Sequence, residues 1–226
     1  IHLQHMDDVN HLAEGFRHNT SLKRLQVSNL IPSVELQQTS SSLDALVEAF
    51  ASMVQIESLQ IGLHNAAFEE AASVPSTCLI SSSAMSLLGG LPSLTWLLFS
   101  RISNVSDIHI EELCQTMRAR GSPIKILEFL QSQKVQTTDQ SWKAITTLLR
   151  TNMILESVNL KSLNESLEDY WKNEAYFYMR LNREGRRRKL QDDCSKKEWC
   201  NLLARYFVSD LSALWVLTRE SPGVFK

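Results

Sequence analysis

Three histidines and two aspartates crowd the start of the chain: His2, His5 and His11 beside Asp7 and Asp8. Imidazole and carboxylate are ligand types for zinc and related divalent ions. Their spacing, however, is that of a chain end running into a helix start, where such side chains face water, so no metal site is expected. Cys78, Cys114, Cys194 and Cys200 are widely spread, without a Cys-x-x-Cys pair. Cys194 and Cys200 stand six positions apart with no histidine nearby, so zinc is not expected and reduced, buried thiols are. Acyl transfer would call for a nucleophile elbow, Gly-x-Ser-x-Gly, and phosphate chemistry for a glycine-rich loop leading into Lys-Ser/Thr. Of the seven glycines only Gly89 and Gly90 are adjacent, and neither pattern occurs, nor does His-Glu-x-x-His. No acid–base or nucleophile set converges. The expectation is a protein that is not an enzyme and takes no metal or cofactor.

Binding chemistry is left. Arg180, Arg183, Arg186, Arg187, Arg188 and Lys189 form the one basic cluster. Such a run contacts phosphates or serves as a nuclear-localisation patch. It also suits the negative end of a preceding helix, and Glu168, Asp169, Glu184, Asp192 and Asp193 dilute its field. With a formal net charge of −2 the chain has no global bias toward nucleic acid or an anionic membrane. The patch Arg183, Arg186, Arg187, Arg188 and Lys189 therefore stands as an alternative reading, nucleic-acid or anionic-surface binding, behind the one developed below. Three Asn-x-Ser/Thr triplets, at Asn19, Asn104 and Asn164, matter only if the protein is secreted.

The elements that would position a binding surface follow from a repeat. Five segments carry an apolar residue, two others, an apolar residue, one other, then an apolar residue: Leu22–Val27, Ile56–Ile61, Leu94–Phe99, Ile124–Phe129 and Leu155–Leu160. Their first residues are 34, 38, 30 and 31 positions apart. Upstream of each lies an i, i+4 apolar pair, which one helical face would bury: Leu12 and Phe16, Leu46 and Phe50, Ala84 and Leu88, Leu113 and Met117, Ile145 and Leu149. Asp8, Ser42, Asp107 and Asp139 are placed as N-caps for these helices. Each unit reads as helix, turn, strand. Such a unit cannot cover its own apolar side, so units must stack and share one core. Two connections are swollen, Ile31–Ser41 and Ala66–Ser83, both Ser-rich and carrying Pro32 and Pro75.

The runs "LAEGFRHNTSLKRLQV" and "LVEAFASMVQIESLQI" resemble the leucine-rich repeats of the ribonuclease-inhibitor-like class over about residues 1–163. The resemblance implies an α/β horseshoe solenoid with a parallel sheet on its concave face, binding a partner protein there. That class carries Asn or Cys two or three places past the strand; only Asn29 fits here, so the turns after the strands depart from the pattern. From Asn164 the strand pattern stops. "NESLEDYWKNEAYFYMRLNREG", "SKKEWCNLLARYF" and "SDLSALWVLTRESPG" read as helices, giving a helical C-terminal cap over 164–226 to the solenoid of 1–163. The tail resembles the C-terminal ends of uncharacterised leucine-rich-repeat proteins of diatoms. Because side chains alternate across a strand, the residues between the inner apolar positions face outward. In the middle strands these are Trp96 and Leu98, and Ile126, Glu128 and Leu130: an apolar cluster with an aromatic anchor, bounded by polar strands, as in a partner hot spot.

Hydrophobic residues make up 43% of 226 and charged residues 21%, enough for a sizeable core in a soluble chain. No apolar run reaches the ~20 residues that cross a bilayer. The chain opens on Ile1 with no charged region leading into an apolar run, so no signal peptide is expected. The expectation is a cytoplasmic, non-catalytic scaffold or inhibitor-like module whose partner is another protein, not a membrane, with nucleic acid only as the alternative, and whose repeats begin upstream of Ile1.

Overall fold

The computed structural model describes residues 2–32, 41–63, 79–102, 105–130, 138–160 and 170–183, with isolated positions 36 and 204. In chain order the elements are β1 (His2–Leu3), α1 (Met6–Arg17), β2 (Arg24–Pro32), α2 (Asp44–Ser52), β3 (Ser58–Leu63), α3 (Ser82–Gly89), β4 (Trp96–Ser100), α4 (Asp107–Arg120), β5 (Ile126–Leu130), α5 (Asp139–Thr151), β6 (Ser157–Leu160) and α6 (Tyr170–Arg183). The strands form one parallel sheet whose spatial order is their sequence order. Each of the five expected apolar segments contributes a strand, beginning two residues after its first apolar position. That first residue, as in Ile56, Leu94, Ile124 and Leu155, is fully buried just before the strand.

Register explains why these residues pair. Leu25, Leu59, Leu97, Leu127 and Val158 lie opposite one another, and so do Val27, Ile61, Phe99, Phe129 and Leu160. Leu59, Ile61, Leu97, Phe99, Leu127 and Phe129 have no exposed surface, and the Phe99 and Phe129 rings stack at 5.1 Å. The expected helix pairs meet these rows in one continuous core. Leu46, Phe50, Leu88, Leu113, Met117, Ile145 and Leu149 are fully buried, and Leu12 and Phe16 pack at its margin. The described helices lie on one face of the sheet, each against the next in sequence.

Neighbouring units are also joined through backbone. The carbonyl oxygen just before each strand accepts two N–H groups from the following unit: Lys23 from Glu57 and Ser58, Glu57 from Thr95 and Trp96, Thr95 from Lys125 and Ile126, Lys125 from Glu156 and Ser157, at 2.7–3.2 Å. Side chains reinforce the same row, with Lys23 on Glu57 at 2.9 Å and Lys125 on Glu156 at 3.6 Å. A second row lies where helices turn into strands. Asn19 and Asn152 occupy equivalent places, each accepting from the backbone two and three residues on. Asn152 also donates to the Ser122 carbonyl at 3.3 Å, and Asn182 donates to Asn152 and Leu155 carbonyls at 3.0 and 2.8 Å. Asn19 is thus a turn-forming residue, whatever its Asn-x-Ser/Thr context.

The helix starts differ from expectation. Asp8 stands inside α1, whose N-cap is His5; its carboxylate accepts from the Gln4 and His5 N–H groups, which hold its pKa below the ordinary value. Ser42 is buried, and Leu43 takes the cap position of α2. Ser106 and Thr138 cap α4 and α5, displacing Asp107 and Asp139 by one residue. The displaced aspartates serve a different end. Asp107 accepts from the backbone and hydroxyls of Thr138 and Ser141, the first turn of the next helix. Asp44 does likewise for Ser81, the cap of α3, at 2.7 Å. The terminus differs too: His2 and Leu3 form a strand paired with Ile31 and Pro32, and Leu3 is buried. The connection expected from Ile31 therefore starts no earlier than Ser33. Of the other swollen connection, 64–78 lies outside the described residues, as does everything from 184 to 226 except position 204, including two expected tail helices.

α6 lies against α5 as the earlier helices lie against one another. Ala175 and Met179 continue the inward i, i+4 series, and the buried Glu174 takes Arg150 at 3.1 Å. α3 and α4 approach closely at Gly89. A Cβ on Gly89 would stand 2.8 Å from Leu113 Cδ1 and 3.1 Å from the Leu113 carbonyl oxygen. In an exposed helix Gly→Ala gains about 1 kcal/mol. Here the expected sign reverses: Gly89→Ala lowers the denaturant midpoint because α4 must move outward, and Gly89→Val lowers it further, read by urea unfolding.

Candidate binding face of the sheet

The face of the sheet opposite the described helices carries the residues that alternate with the buried rows. Arg24, Ser58, Trp96, Ile126 and Ser157 lie side by side in one line across it; Gln26, Gln60, Leu98, Glu128 and Asn159 form the next. Ser100 and Leu130 are paired beyond them, and Gly62 sits between Ser28 and Ser100. The structure thus brings the expected Trp96, Leu98, Ile126, Glu128 and Leu130 together on adjacent strands β4 and β5. Strand pleating puts them there: each is one residue away from a side chain that the core requires.

Within this cluster Trp96 Nε1 donates to Glu128 Oε2 at 3.0 Å. Glu128 lies opposite Leu98, not Trp96, so the indole reaches diagonally across the strand pair. The bond fixes a large ring that would otherwise sample several rotamers. Trp96, Glu128 and Leu130 are half-buried and Ile126 is 37% exposed. Leu98 departs from expectation: it is only 5% exposed. The apolar surface on offer among these residues therefore comprises Trp96, Ile126 and Leu130. At the end of β4, Arg101 adopts a left-handed backbone (φ 63°), and its N–H donates to the Leu130 carbonyl at 2.8 Å. That turn ties the edge of the cluster to β5.

The basic alternative is described only in part. Arg180 and Arg183 lie on the last turns of α6, and Arg183 donates to the Glu156 carbonyl at 3.2 Å. Arg186, Arg187, Arg188 and Lys189 fall outside the described residues, as do Cys78, Cys194 and Cys200. Cys114 is a free, buried thiol whose pKa burial pushes up to about 12, so it is inert as a nucleophile at neutral pH. Among the described residues no group of His, Cys, Asp and Glu side chains is arranged to hold a metal, and no helix is long and apolar enough to cross a membrane.

Two features gave no usable sequence signal. A groove of about 330 Å³ runs between α4 and α5, with Cys114 and Leu148 among its lining and Glu111, Arg118, Gln140 and Lys143 also along it. The other is His109, buried in the first turn of α4. Its Nδ1 accepts from the Ser106 N–H at 3.2 Å and lies 2.9 Å from Ser106 Oγ, completing a capping box, and the ring also meets the Ile80 carbonyl. Desolvation lowers its pKa, against the opposing pull of the Ile80 carbonyl, Glu112 on its own helix and Asp44 on α2.

No family model matches this chain, and no curated protein does. Among solved structures it is similar to a Caenorhabditis elegans tropomodulin C-terminal domain, at 18% identity and a TM-score of 0.48, over 82% of this chain and 99% of that one.

The His109 geometry has a pH consequence. Burial disfavours the charged imidazolium, so the folded chain resists a proton that the unfolded chain binds near the ordinary histidine value. Stability is therefore complete above about pH 6.5 and falls as pH drops through that value toward the lowered folded one. In urea titrations, His109→Asn, which keeps a cap acceptor but cannot titrate, is expected to flatten the decline between pH 7.5 and 5.5. An unchanged slope would place the titration on another group.

Proposed function

We propose that this chain is a leucine-rich-repeat horseshoe of the ribonuclease-inhibitor-like class, a cytoplasmic, non-catalytic scaffold that holds a partner protein on the concave face of its sheet. The repeated helix–strand unit, the all-parallel sheet in sequence order and the one layer formed by the described helices support the solenoid part of this reading. With helices on one face and short strands on the other, unequal layer thickness curves a stack toward the strands.

The observation that carries the binding part is the Trp96–Glu128 bond with Ile126 and Leu130 beside it. A solvent-facing sheet has no use of its own for a clamped indole flanked by exposed isoleucine. Tryptophan in that setting, rimmed by Ser58, Gln60, Ser157 and Asn159, is the composition of an interface centre. Because the ring is already held, a partner would not meet the full entropy cost of ordering it.

The test is affinity capture with the full chain. Trp96→Ala combined with Leu130→Glu should lose the partners that the parent chain retains, with far-UV circular dichroism and melting temperature close to the parent. A folded double variant that keeps every partner would remove the reading.

A further inference from the structure

Glu128 is the one acidic side chain among the described residues on the outward lines of the sheet, and Arg24 is the one basic side chain there. The two stand three strands apart, about 14 Å at ordinary strand spacing, too far to pair. The flanks of Glu128 across the ladder are Leu98 and Asn159, and along its own strand Ile126 and Leu130. Two described basic residues beside these strands are engaged elsewhere: Lys125 pairs with Glu156, and Arg101 Nη1 reaches the Leu63 carbonyl at 3.5 Å. No ion pair to Glu128 is present among the described residues.

The carboxylate is thus spent on one neutral donor. Trp96 Nε1 occupies Oε2, and Oε1 takes no hydrogen bond from a described residue. The 3.0 Å bond sets the carboxylate at the N–H edge of the indole, and the two neighbouring groups both attract cations: the ring face through its quadrupole, the carboxylate by charge. Next to them, Ile126 gives an aliphatic surface 37% open to solvent. A half-buried carboxylate with no counter-charge among the described residues, set at the edge of an aromatic ring, complements a positive group and disfavours a negative one.

Resting on the reading of this face as the binding surface, we propose that the partner presents a lysine or arginine beside an aliphatic residue. The cation seats between Glu128 Oε1 and the Trp96 ring, and the aliphatic side chain covers Ile126 and Leu130. Charge complementarity commits the site to a basic protein segment and away from nucleic acid, whose phosphates Glu128 would repel.

The test separates this charge preference from the binding face itself. Short random peptides displayed on phage are selected on the full chain, and the enriched sequences are synthesised. They are expected to carry Lys or Arg next to Leu, Ile or Val. Glu128→Gln keeps an acceptor for the indole and removes only the charge, and should weaken these peptides about tenfold or more. Replacing their basic residue with Met should cost a similar factor and abolish the sensitivity to Glu128→Gln, and added salt should weaken the parent complex. Peptides that lose binding with Trp96→Ala plus Leu130→Glu yet ignore Glu128→Gln would overturn the charge preference and leave the face standing. Failure to enrich any peptide dependent on Trp96 and Leu130 would overturn both.

Discussion

Every strand in this protein obtains its hydrogen bonds from a different unit, and the architecture depends on that constraint. A parallel strand cannot turn back on itself, so the N–H and C=O groups of β3, for example, find partners only on β2 and β4. The carbonyls of Lys23, Glu57, Thr95 and Lys125, each receiving two N–H groups from the following unit, start every new strand in register. Once register is fixed, the pleat decides the rest: Phe99 meets Phe129 inside, and Trp96 meets the Glu128 strand outside. A slip of one residue would carry the phenylalanines to the surface and the glutamate into the core.

The helices obey the same rule through their caps. Asp107 and Asp44 each sit in the first turn of one helix and bind the start of the next. An acidic residue in that position already suits the positive end of its own helix; here it also accepts from amide hydrogens at the start of a neighbour. At the opposite end, Asn152 and Asn182 reach back 30 residues to the preceding unit. Both ends of the helical layer are therefore fastened across units, as the sheet is.

What the residues disclosed, and what they withheld, divides along the range of the interactions. The five strand segments and the inward helix pairs were legible because a core face repeats at short, fixed spacing. So was the outward placement of Trp96, Ile126, Glu128 and Leu130, which follows from alternation once the inner positions are known. Caps were misplaced by one residue at Ser106–Asp107 and Thr138–Asp139 because two good capping residues stand together, and only the long-range bond of Asp107 to Ser141 shows which role each takes. Asp8 was misplaced because a histidine, His5, holds the cap while the aspartate folds back onto it. The need for glycine at position 89 and the buried ring of His109 depend on groups from other units, which no local pattern encodes. β1 is a two-residue strand, too short for any alternation to mark it.

The row of carbonyls at the strand entries also sets how the molecule would respond to being stretched. Because strands are added side by side in chain order, a pull applied between β1 and β6 acts along the inter-strand hydrogen bonds and opens them a few at a time, as a zipper opens, without shearing many at once. Units would detach in succession from whichever end is weaker, each step releasing one helix and one strand. The protein would then yield gradually under load and behave more like a spring than a clasp.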